Sequence, residues 1–164
     1  MSTVRYCTPE WLEASAAGYE TDPRFRQEFA RLKVKLCFRI TAEPQWAIDR
    51  DIIFASYVHE GELQKLAFVS EEEARKDSDF LMVATPQQWK KLLRKEARFV
   101  TEFMMGRITL EKGSRVGVLQ VAPHANTFID ALTPAELQFQ DEMTADEVAE
   151  FRSYMDEFRQ ELGV

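Results

Sequence analysis

Residues 79–89 read Asp79-Phe80-Leu81-Met82-Val83-Ala84-Thr85-Pro86-Gln87-Gln88-Trp89. The near-continuous apolar run at the start is short and bounded by polar residues, which predicts a strand covered on both faces. Thr85-Pro86-Gln87-Gln88 then supplies a cap, a proline at the first helical position and a Gln at the reciprocal capping position, so a helix follows at once. Within it Trp89, Leu92 and Leu93 share one face, while Lys90, Lys91, Arg94 and Lys95 take the other. A buried strand handing directly to an amphipathic helix sets the class: a sheet with helices laid on it.

Working upstream, residues 70–78 are polar and acidic and read as a short helical crossover or loop. Residues 63–69 and 46–58 read as two strands joined by a turn at Glu60-Gly61, a hairpin. The longer of the two puts Trp46, Ile48, Ile52, Phe54 and Val58 on one side, interrupted by Arg50. Glu43-Pro44 separates it from a strand over 34–41, whose alternation gives one dry face and one wetter face carrying Cys37. Thr8-Pro9 and Asp22-Pro23 each open a helix.

Downstream, Phe99, Val100, Phe103 and Met104 form a second apolar helical face that stops at Gly106. Residues 107–112 alternate, with Ile108 and Leu110 pointing one way, and Gly113 closes the strand. Residues 116–121 start another helix, and Phe128, Ile129 and Leu132 continue the apolar pattern. Thr144-Ala145-Asp146-Glu147 is a capping box, followed by Val148, Phe151, Met155, Phe158 and Leu162 at helical spacing. The expected architecture is α+β: a five-stranded, mainly antiparallel sheet covered by helices, with an extra C-terminal helix. Residues 1–133 are read as one domain and 134–164 as a helical extension that packs on the same domain or on a partner.

Length and charge narrow the function. The 164 residues fit one domain that can bury a sizeable core without disulfides or metal. A net charge of −7, with no basic stripe interleaved with aromatics, argues against nucleic acid. No stretch approaches the ~18 apolar residues of a membrane span, and the N-terminus lacks the apolar core of a secretion signal. The expectation is a cytoplasmic protein with no stable membrane insertion. Cys7 and Cys37 form no metal-type pair and are expected as thiols, with a disulfide between them left open. Twelve Phe and six Met fit a ligand cavity and an aromatic-rich core equally well.

Catalytic signatures are missing. No phosphate loop, dinucleotide fingerprint, paired-histidine zinc motif or nucleophile elbow occurs. His59 sits at a predicted hairpin tip and His124 in a predicted loop, where solvated roles are the rule. Asp49 and Asp51 share a predicted strand face but do not by themselves make an acid/base couple. Glu71, Glu72 and Glu73 read as an exposed helix start. No catalytic residue, metal site or cofactor is expected.

A family resemblance is carried by residues 79–121. The capped strand-to-helix junction at 79–93 is followed by Phe103-Met104-Met105-Gly106-Arg107-Ile108-Thr109-Leu110-Glu111-Lys112-Gly113 and the apolar run 116–121. This order resembles the sterol carrier protein type 2 domain, the sterol-transfer family. Two departures stand out: the segment between Gly106 and Gly113 is one residue longer than the family's usual pattern, an excess that a bulge would absorb, and Glu111 replaces a basic or neutral residue. The resemblance implies a sheet and helices around an apolar tunnel for fatty acids, fatty acyl-CoA, sterols or similar lipids, with no catalytic residue. The candidate lining is then Trp89, Leu93, Phe99, Phe103, Met104, Ile108, Val118 and Phe128, with Lys90, Lys91, Arg94 and Lys95 facing a headgroup. The alternative is a protein-interaction module on the same fold, its cavity filled by Phe and Met. The C-terminal stripe is expected to plug the mouth, act as a lid or form a homodimer contact.

Overall fold

The computed structural model describes residues 2–164. In chain order the elements are β1 (Thr3–Arg5), α1 (Pro9–Thr21), α2 (Pro23–Glu28), β2 (Lys33–Ile40), β3 (Ile52–His59), β4 (Glu62–Val69) and α3 (Glu71–Asp77). They continue with β5 (Phe80–Ala84), α4 (Pro86–Leu93), α5 (Phe99–Met104), β6 (Thr109–Lys112), α6 (Arg115–Val121), α7 (Ala125–Ala131), β7 (Glu136–Gln138) and α8 (Ala145–Leu162). The main sheet runs β4-β3-β2-β5-β6, antiparallel throughout except where β2 and β5 pair in parallel. It is the expected five-stranded, mostly antiparallel sheet with helices.

The junction at residues 79–89 forms as its chemistry dictates. Leu81 and Met82 are buried on opposite faces. Thr85 Oγ1 accepts from the Gln88 N–H at 3.2 Å, and the Gln88 side chain accepts from the Thr85 N–H at 3.0 Å, closing the capping box of α4. At the β3–β4 turn, Gly61 adopts φ +84° with the Arg26 carbonyl oxygen only 2.7 Å from where a Cβ would stand.

Three expectations change. The long strand over 46–58 is shorter: Pro44–Trp46 form a 3-10 turn, Ala47 takes a left-handed conformation, and the strand begins at Ile52. Proline at the first position of that turn cannot donate into a ladder. Asp49 and Asp51 therefore lie in a loop. Asp49 pairs with Arg152 at 3.0 Å, and Asp51 accepts from the Ala42 N–H at 2.7 Å. Secondly, Cys37 is fully buried. α3 covers that side of the sheet, where Cys37, Ile53, Ala55, Tyr57, Val69, Ala74 and Leu81 form a second core. Thirdly, residues near both ends pair: β1 runs parallel to β7, with Val4 opposite Leu137.

The departures around Glu111 have a structural reason. Leu81 opposes Lys112 and Met82 opposes Leu110, which leaves Glu111 as the extra residue of a bulge. Its carboxylate lies 2.9 Å from Arg39 Nε and 2.7 Å from Arg75 Nη2. Arg39 also meets Glu71, and Asp51 at 3.4 Å. Arg39 is almost buried, so its charge must be paired. A basic residue at 111 would oppose two guanidinium groups.

The C-terminal helix packs on its own chain. Phe151, Met155 and Phe158 are buried, and the Phe158 ring stacks on Phe68 of β4 at 5.5 Å. Arg159 donates to the carbonyls of Arg50 and Asp51 at 2.9 and 2.6 Å. With Phe151, Met155 and Phe158 covered and only Leu162 of the stripe exposed, this helix lends no support to a homodimer. No helix among the described residues is long and apolar enough to cross a membrane.

Replacing Glu111→Lys is expected to lower stability by about 1–2 kcal/mol, because it removes one of the carboxylates that balance the nearly buried Arg39 and sets a like charge against it while Glu71 and Asp51 remain. It should show in urea unfolding as an earlier midpoint with an unchanged slope.

Candidate functional site

Between the sheet face opposite α3 and the helices α4 to α7 lies an apolar cavity of about 70 Å³. Its floor is sheet: Leu36 and Phe38 of β2, Phe54 of β3, Phe80 and Met82 of β5. These residues alternate along their strands with the ones that face α3, so strand pleating alone aims them here. α4 adds Trp89, Leu92 and Leu93, α5 adds Phe99, and α6 adds Val118 and Val121. α7 adds Ala125, Phe128 and Ile129, while Tyr6 and Trp11 close the remaining side.

The aromatic floor is held by ring-on-ring contacts. Phe38 stacks on Phe54 with centroids 4.9 Å apart and meets Trp89 edge-on at 5.6 Å. The Trp89 indole N–H donates to the Arg39 carbonyl at 3.0 Å, and the Trp11 indole N–H to the Leu132 carbonyl at 2.8 Å. Each indole thus hides its polar atom in backbone and offers the cavity its apolar body. Phe80 is seated by glycine. A Cβ at Gly113 would stand 2.4 Å from Phe80 Cδ1, and one at Gly117 2.7 Å from Phe80 Cζ. Gly113 also has φ +99°, so both space and backbone require glycine there.

Of the eight candidate lining residues, Trp89, Leu93, Phe99, Val118 and Phe128 lie in this wall. Phe103 and Ile108 are buried elsewhere in the core, and Met104 is 56% exposed. The one-turn α5 explains the split: Phe99 faces inward, Phe103 packs beneath the Arg115 guanidinium at 4.8 Å, and Met104 projects into solvent. Sequence reasoning missed Tyr6 and Trp11 as wall residues, and also Leu36, Phe38 and Phe54. The strand residues carry a burial signal but none for which buried side chains border a cavity. Tyr6 follows a three-residue strand too short to show a pattern.

The proposed headgroup cluster is largely committed. Lys90 pairs with Asp141 at 2.9 Å, Arg94 with Glu142 at 2.7 Å and Lys95 with Asp130 at 2.7 Å. Lys90 and Arg94 also lie over the Phe139 ring. They strap α4 to the chain leading into α8. Lys91 is exposed and has no carboxylate partner among the described residues.

Outside the cavity, α5, α6 and the turn between α5 and β6 carry an apolar surface. Val100, Met104, Met105, Val116 and Leu119 are 41–68% exposed, five of the six large hydrophobic residues among those described that reach solvent to this degree. The same two helices supply Phe99, Val118 and Val121 to the wall behind. Such a patch marks an interaction or binding surface more often than chance exposure.

The other candidate reactive groups sit apart from the cavity or are silenced. Burial pushes the Cys7 thiol up to about 12, and burial likewise raises Cys37, so neither is a thiolate near neutral pH. Both are free thiols. His59 ends β3 beside Glu60 of the hairpin turn, and His124 packs edge-on to Phe29 at 5.8 Å. No group of three or more His, Cys, Asp or Glu that could hold a metal occurs among the described residues.

No protein-family model and no curated protein matches the sequence. Solved structures do match in shape. The crystal structure of a sterol carrier protein 2 superposes with a TM-score of 0.66 at 17% identity, covering 76% of this chain and 95% of that one. A conserved hypothetical protein of Thermus thermophilus, described as possibly a sterol carrier protein, gives 0.69 at 17% identity over 82% and 94%. The fold is that of sterol carrier protein 2. On that sterol carrier protein 2 fold the helices α4 to α7 and the glycine-seated Phe80 form the wall.

Gly113→Ala is expected to destabilise the protein by about 2 kcal/mol or more, because the left-handed backbone and the Phe80 contact both oppose a methyl group. Thermal unfolding with Phe80→Ala as background should recover part of the loss.

Proposed function

We propose that this chain binds a hydrophobic ligand in the cavity between the sheet and α4–α7, without catalysing a reaction on it. The ligand class is a fatty acid, fatty acyl-CoA or sterol-like lipid, and the setting is the cytoplasm. The observation that carries the reading is the wall: its side chains are apolar or aromatic, and both indole N–H groups are already bonded to backbone. The sterol carrier protein 2 fold is consistent with it.

Binding requires the wall to move. A pocket for a drug-sized or lipid-sized ligand measures roughly 300 Å³ or more, several times the space present in this cavity. α5 and α6 are the elements suited to open. They have six and seven residues, too short to hold helical structure except by packing. Their outer faces are already apolar, so a ligand sliding between them meets no polar barrier. Burying a sixteen-carbon chain gains roughly 12 kcal/mol gross at ~0.8 kcal/mol per methylene. Immobilisation and opening offset several of these, leaving an affinity on the order of micromolar.

The small cavity favours a second reading, an interaction module whose interior is filled by its own side chains. One experiment separates the two. Nile red should bind the wild-type protein with enhanced fluorescence, and native mass spectrometry should show co-purified lipid. Ala125→Leu, which places three extra carbons in the cavity, should weaken dye binding at least tenfold while leaving the unfolding temperature within a few degrees. A wild-type protein that carries no lipid and takes up no dye supports the interaction module and ends the ligand-binding reading.

A further inference from the structure

The cavity wall contains three residues with a polar side-chain atom: Tyr6, Trp11 and Trp89. The two indoles are satisfied by the Leu132 and Arg39 carbonyls. Tyr6 differs. It is 0% exposed, and its hydroxyl has no hydrogen-bond partner among the described residues. Buried hydroxyls are almost always paired, because leaving one unmade forfeits its hydration without return. This orphaned hydroxyl is therefore the one hydrogen-bonding side-chain group among the wall residues that has no partner among the described residues.

The residue is also fixed in place. Its N–H donates to the Gln138 carbonyl at 2.9 Å, and its carbonyl accepts from Gln140 Nε2 at 2.8 Å. Cys7, next in sequence, holds a left-handed φ of 65°, and Thr8 then caps α1. The ring packs against Trp11 at 5.0 Å and Phe139 at 4.9 Å. The small β1–β7 pair, with no other evident task, delivers this side chain to the cavity.

We propose that Tyr6 receives the polar end of the ligand, and that the cavity therefore takes an apolar molecule ending in one neutral hydrogen-bonding group, a hydroxyl or a carbonyl. This rests on the ligand-binding reading above and narrows it: sterol-like alcohols and neutral lipids fit, and an ionised fatty acid entering carboxylate first does not. No wall residue carries a positive charge to balance a carboxylate. The nearby Lys90 and Arg94 are engaged by Asp141 and Glu142. An unpaired buried carboxylate is far costlier than a buried hydroxyl. Burial also holds the Tyr6 phenol protonated, able both to donate and to accept.

The test uses hexan-1-ol and 1-chlorohexane, of matched length, titrated into the full chain and followed by tryptophan fluorescence. Tyr6→Phe is expected to weaken hexan-1-ol about tenfold, the loss of one buried hydrogen bond, and to leave 1-chlorohexane within twofold. The variant loses no bond within the protein, so it should unfold at or above the wild-type temperature. If both ligands bind the wild type and Tyr6→Phe alters them equally or not at all, the anchor is overturned while ligand binding stands. If neither binds the wild type, the ligand-binding reading itself fails and the anchor with it. On unmodified protein at pH 8, hexanoate is expected to bind at least tenfold more weakly than hexan-1-ol; equal or tighter binding overturns the neutral end group.

Discussion

Strand β2 is hydrogen-bonded along both edges, antiparallel to β3 and parallel to β5, and the rest of the molecule is arranged by that pairing. A parallel neighbour cannot be reached by a tight turn. The chain must leave β4 at the sheet edge, cross one face and return beside β2, and α3 is that crossing. The side it covers is thereby closed. The helices α4 to α7 are left to cover the other side, while β6 completes the sheet edge.

The two faces are closed by different chemistry, and the difference creates the site. Under α3 small side chains, Cys37, Ala55 and Ala74, mix with Ile53, Tyr57, Val69 and Leu81 in a buried cluster. Its rim is the ion cluster around Arg39, where Glu111, Glu71 and Asp51 converge. On the opposite face large rings project from the sheet, and several short helices cover them instead of one long one. Bulky groups meeting short helices leave a gap where the pieces join. Volume is left over because no single ridge-and-groove contact spans the whole face.

α8 takes part from a distance. Arg152 and Arg159 tie it to the loop between β2 and β3, and Phe158 covers Phe68 at the sheet edge. Phe151 and Met155 extend the core from there. Lys90 and Arg94 reach back to the segment that leads into it. The polar side of α4 and the C-terminal segment thus hold one another, while α5 and α6 have no such strap and show their apolar faces to solvent.

Much of this was legible in the sequence wherever the signal is local. Caps at Thr8, Asp22, Thr85 and Thr144 mark helix starts because each is a bond between a side chain and a backbone N–H two or three residues away. The buried run at 80–84 and the Glu60-Gly61 turn are equally local. Five strands and most of their helices follow from such signals, whereas the bulge near Glu111 was expected only from the family resemblance. What depended on partners far along the chain was hidden. Cys37 reads as wetter until α3 covers it, Glu111 is unexplained until Arg39 and Arg75 reach it, and Tyr6 carries no mark until β1 finds β7. Amino-acid order by itself determined most of the helix and strand segments and their main apolar faces, because those depend on neighbours within a few residues. Only the tertiary structure decided which apolar residues border open space and which fill it, because a cavity is what remains when surfaces from distant segments fail to interlock.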